Sequence, residues 1–186
     1  MNLNSHLTFA HTIWHSLVQC GDTVIDATLG NGHDALALAN MLSKGTLIGY
    51  DIQEKSINHC QKLLHDKKNI AIELRHQCHA QIEAKEAKLI VYNLGYLPGS
   101  DKSLTTRVET TLQSIKRAQK ILIESGIISI TLYPGHPEGA KELEALLAYS
   151  QSLDKKEWTV SWTSWPNRKK GPSVLLYQKK KRPLPS

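Results

Sequence analysis

Two short segments in the first third of the chain carry side chains that could bind a nucleoside. Residues 24–34 read Val-Ile-Asp-Ala-Thr-Leu-Gly-Asn-Gly-His-Asp, and the next apolar run ends on Asp51. The first segment predicts a strand that turns at Gly30 and Gly32 into a helix, because glycine permits a tight turn and close backbone approach. A carboxylate about 20 residues further on, at the tip of the next strand, can accept both hydroxyls of a ribose.

Asp26 decides which nucleoside ligand suits this turn. The spacing of Gly30, Gly32 and Ala35 also fits the fingerprint for NAD or FAD. However, the Asp26 carboxylate at the end of the first strand would repel a pyrophosphate lying over the turn. S-adenosylmethionine (SAM) carries an ammonium and a sulfonium and has no phosphate. The sequence therefore favours SAM, and a dinucleotide stays the alternative.

A second candidate for chemistry is the segment Asn93-Leu94-Gly95-Tyr96, which follows a buried apolar run. It resembles the Asn-Pro-Pro-Tyr loop of amino-group methyltransferases, with Leu94 and Gly95 in place of the prolines. In that loop the asparagine oxygen and a backbone carbonyl accept the N–H groups of the substrate amine. They orient its lone pair toward the methyl group. An ordinary asparagine between a strand and a loop is the alternative interpretation.

The cysteine and histidine patterns argue against two other chemistries. Methylation of uracil C5 requires a cysteine nucleophile, and Cys20, Cys60 and Cys78 all fall outside the fourth and fifth strand tips. Their odd number and wide spacing indicate a reducing cytoplasm rather than a disulfide framework or a zinc site. The histidine pairs at 11/15 and 76/79 lack a third ligand, so no metal is expected.

The elements that must position these residues follow from hydrophobic periodicity. It predicts helices over 7–18, 34–43, 54–65, 105–122 and 140–153. It predicts strands over 23–27, 46–50, 70–74, 88–93, 126–132, 158–165 and 174–178. Strands that alternate with helices give a mostly parallel α/β sheet with helices on both faces. The last two strands have no helix between them and should form an antiparallel edge pair. This is the Rossmann-like layout of class I SAM-dependent methyltransferases.

Length and charge set the domain organisation and suggest a polyanionic partner. The 186 residues predict one domain over 1–186, with a leading helix within 1–20 and a basic tail over 179–186. Neither a signal peptide nor an apolar run long enough to span a membrane is evident. The net charge is +6. The basic cluster Arg168-Lys169-Lys170 lies in a turn between two strands, where it could contact phosphates. A solvated tail accounts equally well for the basic residues that follow.

Several segments together are similar to one known family. They are the glycine-turn segment 26–34, the loop 93–103, the pair Thr105-Thr106 and the segment Tyr133-Pro-Gly-His136. They resemble the bacterial tRNA wobble-uridine amine methyltransferases (MnmM or YtqB-like), formerly labelled rRNA methylases. The resemblance implies SAM as cofactor and tRNA carrying 5-aminomethyl(-2-thio)uridine at the wobble position as substrate. It implies the 5-methylaminomethyl nucleoside as product.

The strand tips and the resemblance together give the expected site. Asn93, Leu94 and Tyr96 are expected to be catalytic. Cofactor contacts are expected from Asp26, Thr28, Gly30, Asn31, Gly32, His33, Asp34, Asp51, Ile52, Gln53, Cys78, His79 and Asn93. Substrate contacts are expected from Gly95, Pro98, Asp101, Lys102, Ser103, Thr105, Tyr133, His136, Arg168, Lys169 and Lys170.

The expected partner is the anticodon stem–loop of tRNA, with no membrane contact, and a homodimer is left open. Two other functions stay open at this point. One is a SAM-dependent methyltransferase that acts on rRNA or on a small-molecule amine. The other is a non-catalytic RNA-binding protein.

Overall fold

Seven strands and five helices occur within residues 5–95 and 106–182, the part of the chain that the computed structural model describes. The helices are α1 (His6–Leu17), α2 (His33–Met41), α3 (Glu54–Leu63), α4 (Val108–Ile121) and α5 (Pro137–Gln151). The strands are β1 (Thr23–Asp26), β2 (Thr46–Asp51), β3 (Ala71–His76), β4 (Ala87–Asn93), β5 (Leu122–Leu132), β6 (Trp158–Thr163) and β7 (Ser173–Lys179). A short 3₁₀ turn at His79–Gln81 was not predicted.

The strands form one sheet in the order β3-β2-β1-β4-β5-β7-β6. Strands β1 to β5 pair in parallel, and β7 runs antiparallel to both β5 and β6. The predicted fold class is confirmed, including the antiparallel pair at the C-terminal edge. Because β1, β2 and β4 are parallel, the side chains at their carboxyl ends meet at one edge of the sheet, where ligands bind in such folds.

Alternating residues of the central strand β4 divide the core into two layers. Leu89 and Val91 pack in the cluster that holds α1, α2 and α3. Ile90 and Tyr92 pack on the opposite face, with residues of α4 and α5. Side chains alternate across a strand, so a strand covered on both faces is apolar at successive positions. The sequence of β4 shows this pattern.

Strand β5 begins four residues before the predicted start at residue 126 and follows α4 directly. A bulge explains the difference. Ser125 has a positive φ of 59°, and the β4–β5 register shifts between Ala87 and Leu89. Extra residues in one strand let pairing continue beyond an irregularity. Here β5 advances from Leu122 to Ile127 while β4 advances only from Ala87 to Leu89, and the pairing continues to Leu122.

The predicted boundary of the basic tail is wrong by at least one residue. Lys179 belongs to β7, and its Nζ donates to the backbone oxygen of Leu122 at 2.7 Å. Lys180 Nζ donates to the Lys155 oxygen, also at 2.7 Å. The first two lysines of the predicted tail are therefore hydrogen-bonded to β5 and to the segment that precedes β6. Residues 183–186 lie outside the described part of the chain.

Candidate active site

The glycine turn between β1 and α2 has the backbone geometry that its sequence predicts. Gly30 and Gly32 have φ values of 51° and 74°, a region that other residues rarely adopt. Gly32 also precedes α2 directly, and a Cβ there would lie 2.8 Å from Cys60 Sγ and 2.9 Å from Leu63 Cδ2. The turn therefore needs glycine for its conformation and for its close contact with α3. Cys60 is a packing residue, as expected.

Asp51 at the end of β2 supports this turn. Its Oδ2 accepts the Gly30 N–H at 2.9 Å, and its Oδ1 accepts the Gln53 N–H at 2.8 Å. A carboxylate has about four acceptor positions, so these two bonds leave capacity for the hydroxyls of a ribose. The neighbouring Ile52 side chain is 50% exposed, and it provides an apolar wall against which a flat base can pack.

Asp26 lies beneath the turn and is almost completely buried, with 1% of its surface exposed. Its Oδ1 accepts the Thr28 N–H at 3.0 Å, whereas Oδ2 has no hydrogen bond of good geometry among the described residues. Burial, together with the charges of Asp34 and Asp51, raises the pKa of Asp26 to about 8. A cationic ligand would stabilise its ionised form. Three carboxylates around one turn suit a cation and oppose a pyrophosphate.

A cavity of about 790 Å³ opens above this edge of the sheet. It brings together most of the predicted site residues: Thr28, Gly30, Asn31, His33, Asp34, Asp51, Ile52, Gln53, Cys78, His79, Asn93, Leu94, Gly95, Tyr133, His136 and Lys170. Four other predicted residues, Asp26, Gly32, Arg168 and Lys169, do not line it. The remaining ones lie outside the described residues: Tyr96, Pro98, Asp101, Lys102, Ser103 and Thr105.

The structure also adds residues that the sequence analysis did not select. Ala27, Leu29, Thr106, Arg107, Thr110, Gly135 and Pro172 line the cavity. Ala27 and Leu29 belong to the glycine-turn segment, so their position was available from the motif. Thr106 was part of the family resemblance without an assigned role. No local pattern marks Arg107 or Thr110, which reach the cavity because α4 begins beside the tip of β4.

His79 forms a neutral part of the cavity wall. Its ring is buried and packs edge-on against Tyr92 with a centroid distance of 6.0 Å. Burial lowers the pKa of His79 to about 4, so the ring carries no charge near pH 7. The preceding Cys78 begins the short 3₁₀ turn, and its Sγ accepts the Ala80 N–H. This pair shapes the pocket without adding a cation next to the carboxylates.

The amide of Asn93 is held in one orientation. Its backbone N–H donates to Thr28 Oγ1 at 2.7 Å, and its Nδ2 donates to Asp34 Oδ2 at 3.2 Å. A carboxylate can only accept, so the nitrogen must face Asp34. Burial raises the pKa of Tyr133 to about 12, against the opposing effect of a side-chain hydrogen bond with Asn93. The contact with the Asp34 carboxylate assigns Nδ2 as the donor, so Oδ1 remains an acceptor.

The leading helix α1 contributes two histidines behind this amide. His11 Nε2 lies 2.8 Å from Asp34 Oδ1, and His6 Nε2 lies 3.2 Å from the Tyr133 hydroxyl. Burial lowers the pKa of His6, the charge of Arg168 lowers it further, and Asp34 opposes them. From the sequence alone, His11 was a candidate only for a metal site.

A buried carboxylate fastens the other side of the loop. The Gly95 N–H donates to Thr106 Oγ1 at 3.1 Å, and that hydroxyl donates to Glu142 Oε2 at 2.8 Å. Thr111 donates to Glu142 Oε1 at the same distance. Burial raises the pKa of Glu142, and the hydrogen bonds from Thr111 and Thr106 lower it. The backbone that follows Asn93 is thus tied to α4 and α5.

His136 and Lys170 of the basic loop both line the cavity. His136 precedes α5, and its Nδ1 accepts the Gly139 N–H at 3.1 Å. In the neutral ring the proton is therefore on Nε2, which is a donor. In the loop between β6 and β7, Lys170 has a left-handed φ of 55° and lines the cavity. Arg168 and Lys169 are exposed beside it.

The described residues show neither a metal-binding cluster nor a membrane-spanning helix. Residues 5–95 and 106–182 contain no group of three or more histidine, cysteine, aspartate or glutamate side chains arranged to hold a metal ion. In the same part of the chain, no helix is long and apolar enough to cross a membrane.

The geometry now defines a class of protein. The strand order is that of class I SAM-dependent methyltransferases, and the cavity offers a carboxylate for a ribose, an apolar wall for a base and three acids that suit a cation. SAM fits each of these features, since it combines an adenosine with two positive charges and has no phosphate. The molecule is a methyltransferase of this class, and SAM is its cofactor.

Comparison with known proteins gives the family. A family model described as "Putative rRNA methylase" matches residues 47–179, and the chain belongs to that family. The chain is 36% identical over 187 aligned positions to an Arabidopsis thaliana protein, "tRNA (mnm(5)s(2)U34)-methyltransferase, chloroplastic". The alignment covers 92% of this chain and 68% of the relative.

Two solved structures have the same fold. One is a "putative rRNA-methylase" from Clostridium thermocellum, with 33% identity and a TM-score of 0.91, covering 96% of this chain and all (100%) of the other. The second is a "putative methyltransferase" from Streptococcus mutans in complex with SAH. It has 26% identity and a TM-score of 0.85, and the match covers 96% of this chain and 99% of that one.

Proposed function

We propose that this chain methylates the amine of 5-aminomethyl(-2-thio)uridine at the wobble position of tRNA, giving 5-methylaminomethyl(-2-thio)uridine. The observation that carries the proposal is the fixed amide of Asn93. Its Nδ2 is held by the Asp34 carboxylate, so its Oδ1 is the atom that can accept an N–H group. An acceptor at the tip of β4 is what an amine substrate requires.

The reacting amine must be neutral, because an ammonium has no lone pair. A free alkylamine has a pKa well above neutral and is mostly protonated near pH 7. SAM supplies a methyl group on a cationic sulfonium, and a nearby cation disfavours the ammonium form. Asn93 Oδ1 and the Leu94 carbonyl can then accept the two N–H groups of the amine. In this arrangement the chain orients the lone pair and excludes other approaches.

The remaining expected contacts are assigned by the same proposal. Asp51 accepts the ribose hydroxyls of SAM, and Asp26 stabilises its positive end. Tyr96 and the other substrate residues of the 96–105 segment lie outside the described residues and stay predictions. His136, which lines the cavity, is assigned to the substrate side.

The charge at the rim supports a nucleic-acid substrate. Arg168 and Lys169 are exposed, and Arg107 and Lys170 line the cavity. Cations at the rim can position phosphates while the acids hold the cofactor end. The name of the Arabidopsis relative points to the wobble position, and therefore to the anticodon stem–loop. The three cysteines are unpaired, which agrees with action on tRNA in the cytoplasm.

The deciding experiment is mass spectrometry of nucleosides after incubation with SAM. The substrates are tRNA that carries the 5-aminomethyl group, ribosomal RNA and a free small-molecule amine. We expect a mass gain of one methyl group on the wobble nucleoside of tRNA alone. The variant Asn93→Ala is the control for a contaminating activity. Methylation of rRNA or of the free amine, with tRNA unchanged, would replace the proposal with the other methyltransferase activities.

A further inference from the structure

We infer that α1 sets the orientation of the Asn93 amide, with His11 and His6 as positioning residues. The inference rests on the proposed function only in that Asn93 is the residue that holds the amine. Neither histidine lines the cavity, and neither belongs to the glycine turn or to the basic loop. Their role would be to act through Asp34 and Tyr133.

The first arm runs through Asp34. His11 Nε2 and Asn93 Nδ2 contact different oxygens of the same carboxylate, at 2.8 and 3.2 Å. Because the carboxylate accepts both bonds, His11 Nε2 is a donor. Only 14% of the Asp34 side chain is exposed and 31% of His11. His11 is also packed against the buried Trp14 ring, with centroids 4.6 Å apart. Asp34 is thus held between a helix side chain and the amide.

The second arm runs through Tyr133. The Tyr133 hydroxyl lies 3.2 Å from His6 Nε2, and a side-chain hydrogen bond with Asn93 opposes the rise of the phenol pKa. The rings of His6 and Tyr133 meet edge-on, at 88° and 5.5 Å between centroids. Burial lowers the pKa of His6, which keeps Nε2 available as an acceptor. Asp34 and Tyr133, which both neighbour the Asn93 amide, are therefore each contacted by a histidine of α1.

The orientation of the Asn93 amide therefore depends on both contacts. If either arm is cut, the carboxylate or the phenol can turn away and the amide can rotate about its side-chain torsion. Its oxygen would then leave the position that the amine needs. A displacement of about 1 Å in an oriented reaction can cost about 10²-fold in rate. SAM binding should be little affected, since neither histidine contacts the cavity.

The test compares four variants with a matched control. His11→Phe and His6→Phe remove the polar atom and keep a ring. His11→Gln restores a donor, and His6→Gln restores an acceptor. The control is His15→Phe, which changes an exposed histidine of the same helix. We expect the phenylalanine variants to lower kcat about tenfold or more while SAM affinity by calorimetry stays within a few-fold. The glutamine variants should recover most of the rate.

A second readout does not depend on the substrate. The side-chain amide resonances of Asn93, assigned by NMR in the SAM-bound protein, should shift and exchange faster with water in His11→Phe than in wild type. They should be unchanged in His15→Phe. The inference is overturned if the amide resonances of His11→Phe and His6→Phe match wild type. It is equally overturned if glutamine and phenylalanine variants lose the same rate. If wild type fails to methylate aminomethyl tRNA but the NMR result holds, the proposed substrate fails and the positioning role stands.

Discussion

The carboxylate of Asp51 offers the most direct test of the cofactor site. Its two oxygens accept the Gly30 and Gln53 N–H groups at 2.9 and 2.8 Å, and its remaining acceptor positions are expected to take the ribose hydroxyls. Asp51→Ala therefore removes two kinds of interaction: the bonds that hold the turn and the bonds to the ligand. Hydrogen bonds to a charged group contribute about 1.5–3 kcal/mol each.

Loss of two ribose bonds at the lower end of that range would weaken SAM binding by about 3 kcal/mol, or roughly 10²-fold. Because Asp51 is only partly buried, solvent reduces this effect, and we expect a loss of at least about tenfold. The assay is calorimetric titration with SAM. Asp22→Ala is the matched control, since Asp22 accepts the Gln19 N–H at 2.8 Å in the turn that precedes β1, away from the site.

A ligand without ribose hydroxyls separates the two kinds of interaction. Asp51→Ala should weaken binding of SAH far more than binding of its 2′,3′-dideoxy analogue, because only SAH can use the carboxylate. An equal loss for both ligands would mean that Asp51 acts only by holding the turn. Unchanged SAM affinity in Asp51→Ala, or tight NAD binding by the wild type, would refute the assignment of the site.

Four further outcomes are expected. Asn93→Ala should lower kcat about 10²-fold with SAM affinity kept within a few-fold. Asn93→Asp, whose charge favours the unreactive ammonium, should be slow near pH 7 and recover part of its rate as the pH rises. Wild-type turnover in the alanine variant would contradict the amine-accepting role of Asn93. Replacing residues 168–170 with alanine should reduce the slope of log binding constant against log salt concentration for tRNA by up to about three units, without changing SAM affinity. An unchanged slope would show that the loop is solvated and does not contact phosphates. The pKa of Asp26 is raised from 3.8 to about 8. Between these pH values the folded protein holds a proton that the unfolded chain has lost, so the contribution of Asp26 to the free energy of unfolding falls as the pH rises and is gone above pH 8. Denaturant unfolding without SAM should therefore show the advantage of Asp26→Asn over wild type growing from pH 5 to pH 8, and a constant difference would contradict this. Glu142→Ala should lower kcat and the free energy of unfolding, because it leaves two threonine hydroxyls unpaired. Glu142→Gln should lower both quantities less. Equal kcat in wild type and both variants would show that Glu142 does not influence the loop that follows Asn93.

Sequence reasoning succeeded where the signal is local. The turn at Gly30 and Gly32 was predictable because left-handed backbone conformations and a close contact with α3 select glycine at those positions. Asp51 was predictable because parallel strands bring their carboxyl ends to one edge. The same rule placed Asn93 beside the cofactor turn. In each case a residue type and its distance along the chain were sufficient.

The errors and omissions arose where distant segments meet. The start of β5 depends on an irregularity in its pairing opposite Lys88, and the residues around Leu122 do not by themselves reveal this pairing with β4. Lys179 looked like the start of a solvated tail, yet its Nζ donates to the carbonyl of Leu122, the first residue of β5. In both cases the local structure is decided by a segment that is distant in sequence: β4 for the start of β5, and Leu122 for Lys179.

The sequence by itself determined the class of fold, the cofactor turn and the family, because hydrophobic period, glycine conformation and motif spacing are properties of short segments. Only the tertiary structure decided how the reactive amide is oriented. Asn93 is contacted by Thr28 of the glycine turn and by Asp34 of α2, and the Asp34 contact alone spans 59 positions of sequence. Hydrogen bonds across such distances depend on packing that no local pattern records. The position of Asn93 at the tip of β4 could be predicted from its motif, whereas the histidines behind Asp34 and Tyr133 are brought there only when α1 packs against the sheet.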